Sequence, residues 1–224
     1  MAIQVIGANC SLGEAVVDKL LSLDIDVIAK EESHYVRNKS LLEFSTAKLL
    51  EEGQGYSISF NGDEADLIIG KNLIIRDLIP TRADRWLPEE FKDWIAGNDS
   101  NYSSRYWLSI IDAANAIATI AKNHVKVENI VMCGRRRWLN EDTKAEFEML
   151  WERTTQGQSG KFTADVLFGH EIAGMEAIPI GIIDDERPNL EPLHELMLEL
   201  SGEGWRPMIP FRTALMSLIA GLIE

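Results

Sequence analysis

The stretch that most constrains the fold is the first thirty-one residues. Apolar Ile3, Val5 and Ile6 lead into Gly7-Ala8-Asn9-Cys10-Ser11-Leu12-Gly13, a helically periodic run, and Asp26-Val27-Ile28-Ala29-Lys30-Glu31. This order predicts strand, glycine turn, helix, strand and terminal acid, an arrangement suited to holding a dinucleotide. Gly7 lets the chain turn off the strand, and Gly13 lets the helix lie close to the sheet. Amides of the loop from Asn9 through Ser11 and Leu12 then face a pyrophosphate at the helix N-terminus. Glu31 falls where a carboxylate accepts the hydrogen bonds of an adenine ribose, and its charge favours NAD over NADP by repelling a ribose phosphate. Cys10 stands where such a loop carries its middle glycine, so its side chain is expected to weaken or shift binding without abolishing it.

The rest of the pattern fits an α/β protein: a Rossmann-like, doubly wound, mostly parallel sheet with a small C-terminal α/β lobe. Helices are expected at 14–22, 40–52, 89–96, 113–122, 141–154, 193–200 and 211–223. Strands are expected at 27–29, 56–60, 107–111, 130–132 and 178–183. The apolar runs 65–70 and 73–75 lie too close for an intervening helix, so they either pair as a hairpin or contribute only one strand to the sheet. Gln156-Gly157-Gln158-Ser159-Gly160 reads as a linker, dividing a dinucleotide-binding unit, 1–155, from a smaller lobe, 156–224. Asp112 is expected to cap the helix starting at Ala113. The six tryptophans are too dispersed for a binding platform and read as core or interface.

A formal net charge of -14 argues against a nucleic-acid partner. Arg135-Arg136-Arg137 is a local exception, read as a solvated loop or a contact for a phosphate-bearing ligand. Two cysteines without metal or disulfide spacing suit a reducing compartment, and the N-terminus carries no secretory pattern, so the cytoplasm is the expected location. The apolar run 214–223 is too short for a bilayer, and four scattered histidines give no metal site. The sequence leaves the oligomeric state open, a homo-oligomer included.

Residues 7–21 resemble the opening of the extended short-chain dehydrogenase/reductases, the NAD-dependent epimerases and dehydratases of nucleotide sugars. Gly97 to Ala114, with Arg105 and Asp112, is similar to that family's segment of glycine turn, arginine, apolar strand and aspartate before a helix. Gly204-Trp205-Arg206-Pro207 resembles its closing tryptophan-x-proline turn. The resemblance implies NAD as cofactor and a nucleotide sugar as ligand, with Arg105 and Arg187 on the substrate diphosphate. The family's catalytic pattern, Tyr-x-x-x-Lys-x-x-x-Glu, is matched by Tyr35, Lys39 and Glu43, where the lysine would lower the phenol pKa for general-base work.

That match follows the second strand, whereas the family places it after the fifth. Either a middle section is deleted and the pair is catalytic, or the spacing is a coincidence on an ordinary second helix. The upstream serine would fall on Ser11, inside the glycine loop, and Ile79 stands where the family holds substrate with asparagine. Both departures weigh against redox catalysis. The alternatives are a non-catalytic sensor of NAD or nucleotide sugar, a partner subunit of a full-length relative, and a structural subunit that binds no nucleotide.

Overall fold

The computed structural model describes residues 2–158 and 187–223. Its centre is a parallel five-stranded sheet of β1 (Ile3–Ile6), β2 (Val27–Ile28), β3 (Leu49–Leu50), β4 (Tyr56–Ser59) and β5 (Leu67–Ile68), ordered β3-β2-β1-β4-β5. Helix α1 (Ser11–Ser22) crosses from β1 to β2, and α2 (Ser33–Phe44) from β2 to β3. Ile3 and Val5 of β1, Val27 and Ile28 of β2 and Tyr56 and Ile58 of β4 are buried, while Gln4 and Ile6, on the alternate positions of β1, are half-buried. Helix α4 (Ile110–Lys122) packs on α1, its alanines with Ile110, Ile117 and Ile120 forming the buried stripe.

The sheet order reverses at β1, which pairs with β2 on one side and β4 on the other. The carboxyl ends of β1 and β4 are therefore the switch point, outside which open α/β sheets take ligands in a crevice. Beyond β4 the pattern thins. Residues 60–66 join β4 to β5 without a helix, although the two strands pair in parallel.

The two close apolar runs do not form a hairpin. β5 completes the large sheet, while β6 (Leu73–Ile75) pairs in parallel with β9 (Ile130–Met132), joined to the first run only by an Ile69 to Leu73 bridge. β7 (Leu78–Ile79) pairs with β8 (Leu108–Ser109). The helix expected at 40–52 ends at Phe44, because Leu49 and Leu50 are drawn into parallel register with Val27 and Ile28.

A second core gathers α3 (Glu89–Ile95), α5 (Asn140–Gln158) and the final helix α7 (Phe211–Ile223). Phe91 centres it, with ring centroids 5.0 Å from Trp107, 5.4 Å from Trp94 and 5.3 Å from Phe147. Tryptophans dispersed in sequence thus converge in space. The expected boundary at 155 does not separate the cores: α3 and α5 belong with α7, while α6 (Glu191–Ser201) buries Leu193 and Met197 against the sheet core. Helix α5 continues through Gln158, over part of the expected linker; Ser159 and Gly160, and the strand expected at 178–183, lie outside the described residues. Among the described residues no helix is long and apolar enough to cross a membrane.

Asp112 ties the cores together and is not the cap of α4. That role falls to Ser109, whose Oγ accepts from the Ile111 amide at 3.2 Å. Asp112 instead accepts the Met208 and Ile209 amides at 2.9 and 3.0 Å, fixing the turn into α7. Burial raises its pKa, and the two amides partly offset that shift. Asp112→Ala leaves both amides unmet, so urea unfolding should show a loss of about 2 to 3 kcal/mol; an unchanged midpoint would remove this tie.

Candidate functional site

The crevice floor is the turn from β1 into α1. Gly7 adopts φ 68°, and a Cβ on Gly13 would lie 2.6 Å from Ala8 Cα, so both positions require glycine. Leu12 is wholly buried, leaving only its backbone to serve a ligand, and Asn9 is exposed at the rim. Cys10 is more than bulk in a glycine's place. It is the N-cap of α1: its Sγ accepts from the Gly13 amide at 3.4 Å and from Arg85 Nη2 at 3.2 Å.

The Ser11 amide donates to Asp84 Oδ2 at 2.6 Å. This contact spans seventy-three residues of sequence and puts a carboxylate at the N-terminus of α1, where the macrodipole favours negative charge. The segment carrying Asp84 is held further by Arg82, which binds both carboxylate oxygens of the buried Glu14, one at 2.8 Å. The Ser11 hydroxyl, beside the occupied amide, is buried without a hydrogen-bond partner.

Glu31 follows β2 by three residues, as expected of the acid at that strand's end. Its Oε2 lies 3.3 Å from Nε2 of the fully buried His34, yet is itself buried without an aligned hydrogen bond. The loop therefore presents an unused buried donor, and the β2 end a carboxylate oxygen whose one close partner is His34. These are the groups that a phosphate and a ribose hydroxyl would engage, and buried polar atoms left unpaired are uncommon in folded proteins. Both groups fit a dinucleotide, although Asp84 already takes one amide that its pyrophosphate would use.

The expected acid/base pair is not assembled. Tyr35 and Lys39 lie on α2, and the Tyr35 hydroxyl donates to the Leu49 carbonyl at 2.6 Å. Leu49 belongs to β3, two strands from β1, or roughly 10 Å at ordinary strand spacing. Among the described residues Lys39 forms no ion pair.

Arg105 is also committed elsewhere. Its guanidinium pairs with buried Glu90 and with Asp77, so it is neutralised by acids of its own chain and is not a free diphosphate ligand. Arg187 is exposed and lines a cleft of about 800 Å³ with Arg135, Arg136, Arg206 and Arg212. Arg212 is held by Glu146, at 2.9 and 2.7 Å, and Arg136 lies 4.8 Å from the Trp138 ring centroid. Among the described residues Arg135, Arg136, Arg187 and Arg206 have no carboxylate partner, which concentrates positive charge on an acidic protein. Sequence reading missed Arg206, Arg212 and Asp84. The basic triplet signalled part of the cleft, but nothing near Asp84 in sequence signalled its contact with Ser11.

No family model matches the chain, and no curated protein matches it. Solved structures do. A dTDP-glucose 4,6-dehydratase from Bacillus anthracis, in complex with NAD, aligns over 99% of this chain and 96% of its own, with TM-score 0.54 and 11% identity. The dTDP-glucose 4,6-dehydratase of Streptomyces venezuelae, with NAD bound, aligns over the same shares at TM-score 0.52 and 11% identity. A UDP-galactose 4-epimerase aligns over 99% and 98% at TM-score 0.51 and 10% identity. The chain has their fold. Within this epimerase/dehydratase fold, the crevice above α1 corresponds to the switch point of the Rossmann-like sheet.

Tyr35→Phe should lower stability by about 1 kcal/mol through loss of the Leu49 bond, while leaving nucleotide affinity unchanged. Loss of nucleotide affinity in calorimetry would return the phenol to the site.

Proposed function

We propose that the protein is a binding module that takes NAD in the crevice between β1 and β4. Its second ligand, in the arginine cleft, is phosphate-bearing and of nucleotide-sugar type. The observation that carries the NAD reading is the buried Ser11 hydroxyl without a hydrogen-bond partner beside the glycine turn, with the Glu31 carboxylate following β2 and facing only His34. Ser11 would donate to a phosphate oxygen and Glu31 would accept from the adenine ribose. A ribose phosphate would meet the Glu31 charge, which sets NAD above NADP. In the cleft, Arg135, Arg187 and Arg206 supply guanidinium forks for a diphosphate, and Trp107 and Trp138 supply apolar walls.

When bound, NAD supplies a hydride acceptor. The chain offers little to drive that transfer. Three of its four phenols already donate within the protein: Tyr35 to the Leu49 carbonyl, Tyr56 to the Val125 carbonyl and Tyr102 to Asp93. Burial raises the Tyr56 pKa, and the Asp93 hydrogen bond raises that of Tyr102, so neither is poised as a phenolate at neutral pH. The role that fits is a sensor of NAD and nucleotide sugar.

Calorimetric titration tests the cofactor reading. NAD should bind at least tenfold tighter than NADP, and Glu31→Ala should reduce this preference by about tenfold, the scale of one charge-assisted hydrogen bond. Equal affinities in the wild-type protein would remove the role assigned to Glu31. Incubation with NAD and a nucleotide sugar should give no epimerised or dehydrated product, and turnover at an ordinary enzymatic rate would overturn the sensor reading.

A further inference from the structure

Asp84 stands in a segment with no regular structure, residues 80–88, between β7 and α3. Three contacts pin it over the start of α1. Arg82 pairs with Glu14, Arg85 Nη2 donates to Cys10 Sγ, and Asp84 Oδ2 accepts from Ser11 N. The other Asp84 oxygen accepts from the Trp86 amide at 2.9 Å, which sets the carboxylate's orientation. All three α1 partners, Cys10, Ser11 and Glu14, belong to the N-cap or first turn.

An anion is what this turn attracts, and a phosphate and a carboxylate satisfy it in the same way. The Ser11 amide has one hydrogen and cannot serve both. A pyrophosphate arriving beside Asp84 would also meet its negative charge at short range, where repulsion is screened least. We propose that Asp84 is a resident carboxylate in the pyrophosphate position of the crevice, so that NAD enters only when segment 81–87 releases the start of α1. The unused Ser11 hydroxyl agrees with this: Asp84 satisfies the Ser11 amide and leaves the neighbouring donor for a ligand with more acceptor oxygens. The proposal rests on the NAD reading above and adds that the affinity is set by the chain's own competing anion.

The consequence is selective. Removing the Asp84 charge should favour ligands that carry phosphate and leave those without it unaffected. The test titrates the full-length wild-type protein, Asp84→Asn and Asp84→Ala with NAD and with adenosine, a probe that lacks the pyrophosphate. Both variants should bind NAD at least tenfold tighter than wild type, with adenosine affinity unchanged. Equal NAD affinity in all three proteins would overturn the gate and leave the NAD reading standing, while no NAD binding in any of them would overturn both. A parallel gain for adenosine would mean general loosening and would also overturn the gate. Wild-type protein gives a reading that needs no variant: NAD should accelerate hydrogen exchange across 81–87, and unchanged exchange with NAD bound would contradict release of the segment.

Discussion

Backbone amides at the start of α1 carry partial positive charge at the floor of the switch-point crevice, and the protein meets that charge with its own Asp84. The surrounding arrangement follows from this contact. Glu14, in the same first turn, adds negative charge and is balanced by Arg82 from the Asp84 segment and by Arg37 from α2. The Cys10 thiol, which caps the helix, is contacted from the same segment by Arg85. One helix terminus thus fixes the path of the chain between β7 and α3, and with it the entry to the second core.

The segment reaches α1 because little stands between. A parallel strand pair ordinarily needs a crossover of a dozen or more residues, commonly a helix, but β4, β5 and β6 follow one another through short connections without helices. Among the described residues no helix therefore follows β5 or β6. Helices α4 and α6 join the sheet core through their apolar stripes, α4 on the side of α1. The second core is then built from elements far apart in sequence, with Phe91, Trp107, Phe147 and Phe211 packed ring against ring.

Much of this was legible in the sequence wherever the signal is local. The β1 turn, α1, β2 and Glu31 were readable because glycine geometry, helical period and strand alternation act within a few residues. Helix boundaries were less so: the Leu49-Leu50 run has helical and strand readings alike, and only its pairing with β2 decides it. The site was half legible. Glu31 and the loop glycines carried their own signal, while the Tyr35 and Lys39 spacing suggested a catalytic pair that the neighbouring Leu49 carbonyl takes apart. Arg105 shows the same limit, because its buried partners Glu90 and Asp77 are distant in sequence. Asp84 was invisible for that reason, since a charged residue after Pro80 reads as a solvated loop until the fold brings it to Ser11.

The most direct measurement is a crystal structure of the wild-type protein grown with NAD. The pyrophosphate should lie on the Ser11 amide and hydroxyl, a ribose hydroxyl on Glu31, and Asp84 should be withdrawn from the start of α1. NAD bound away from this crevice, or seated in it beside an intact bond between Asp84 and Ser11, would contradict displacement of Asp84 by the pyrophosphate.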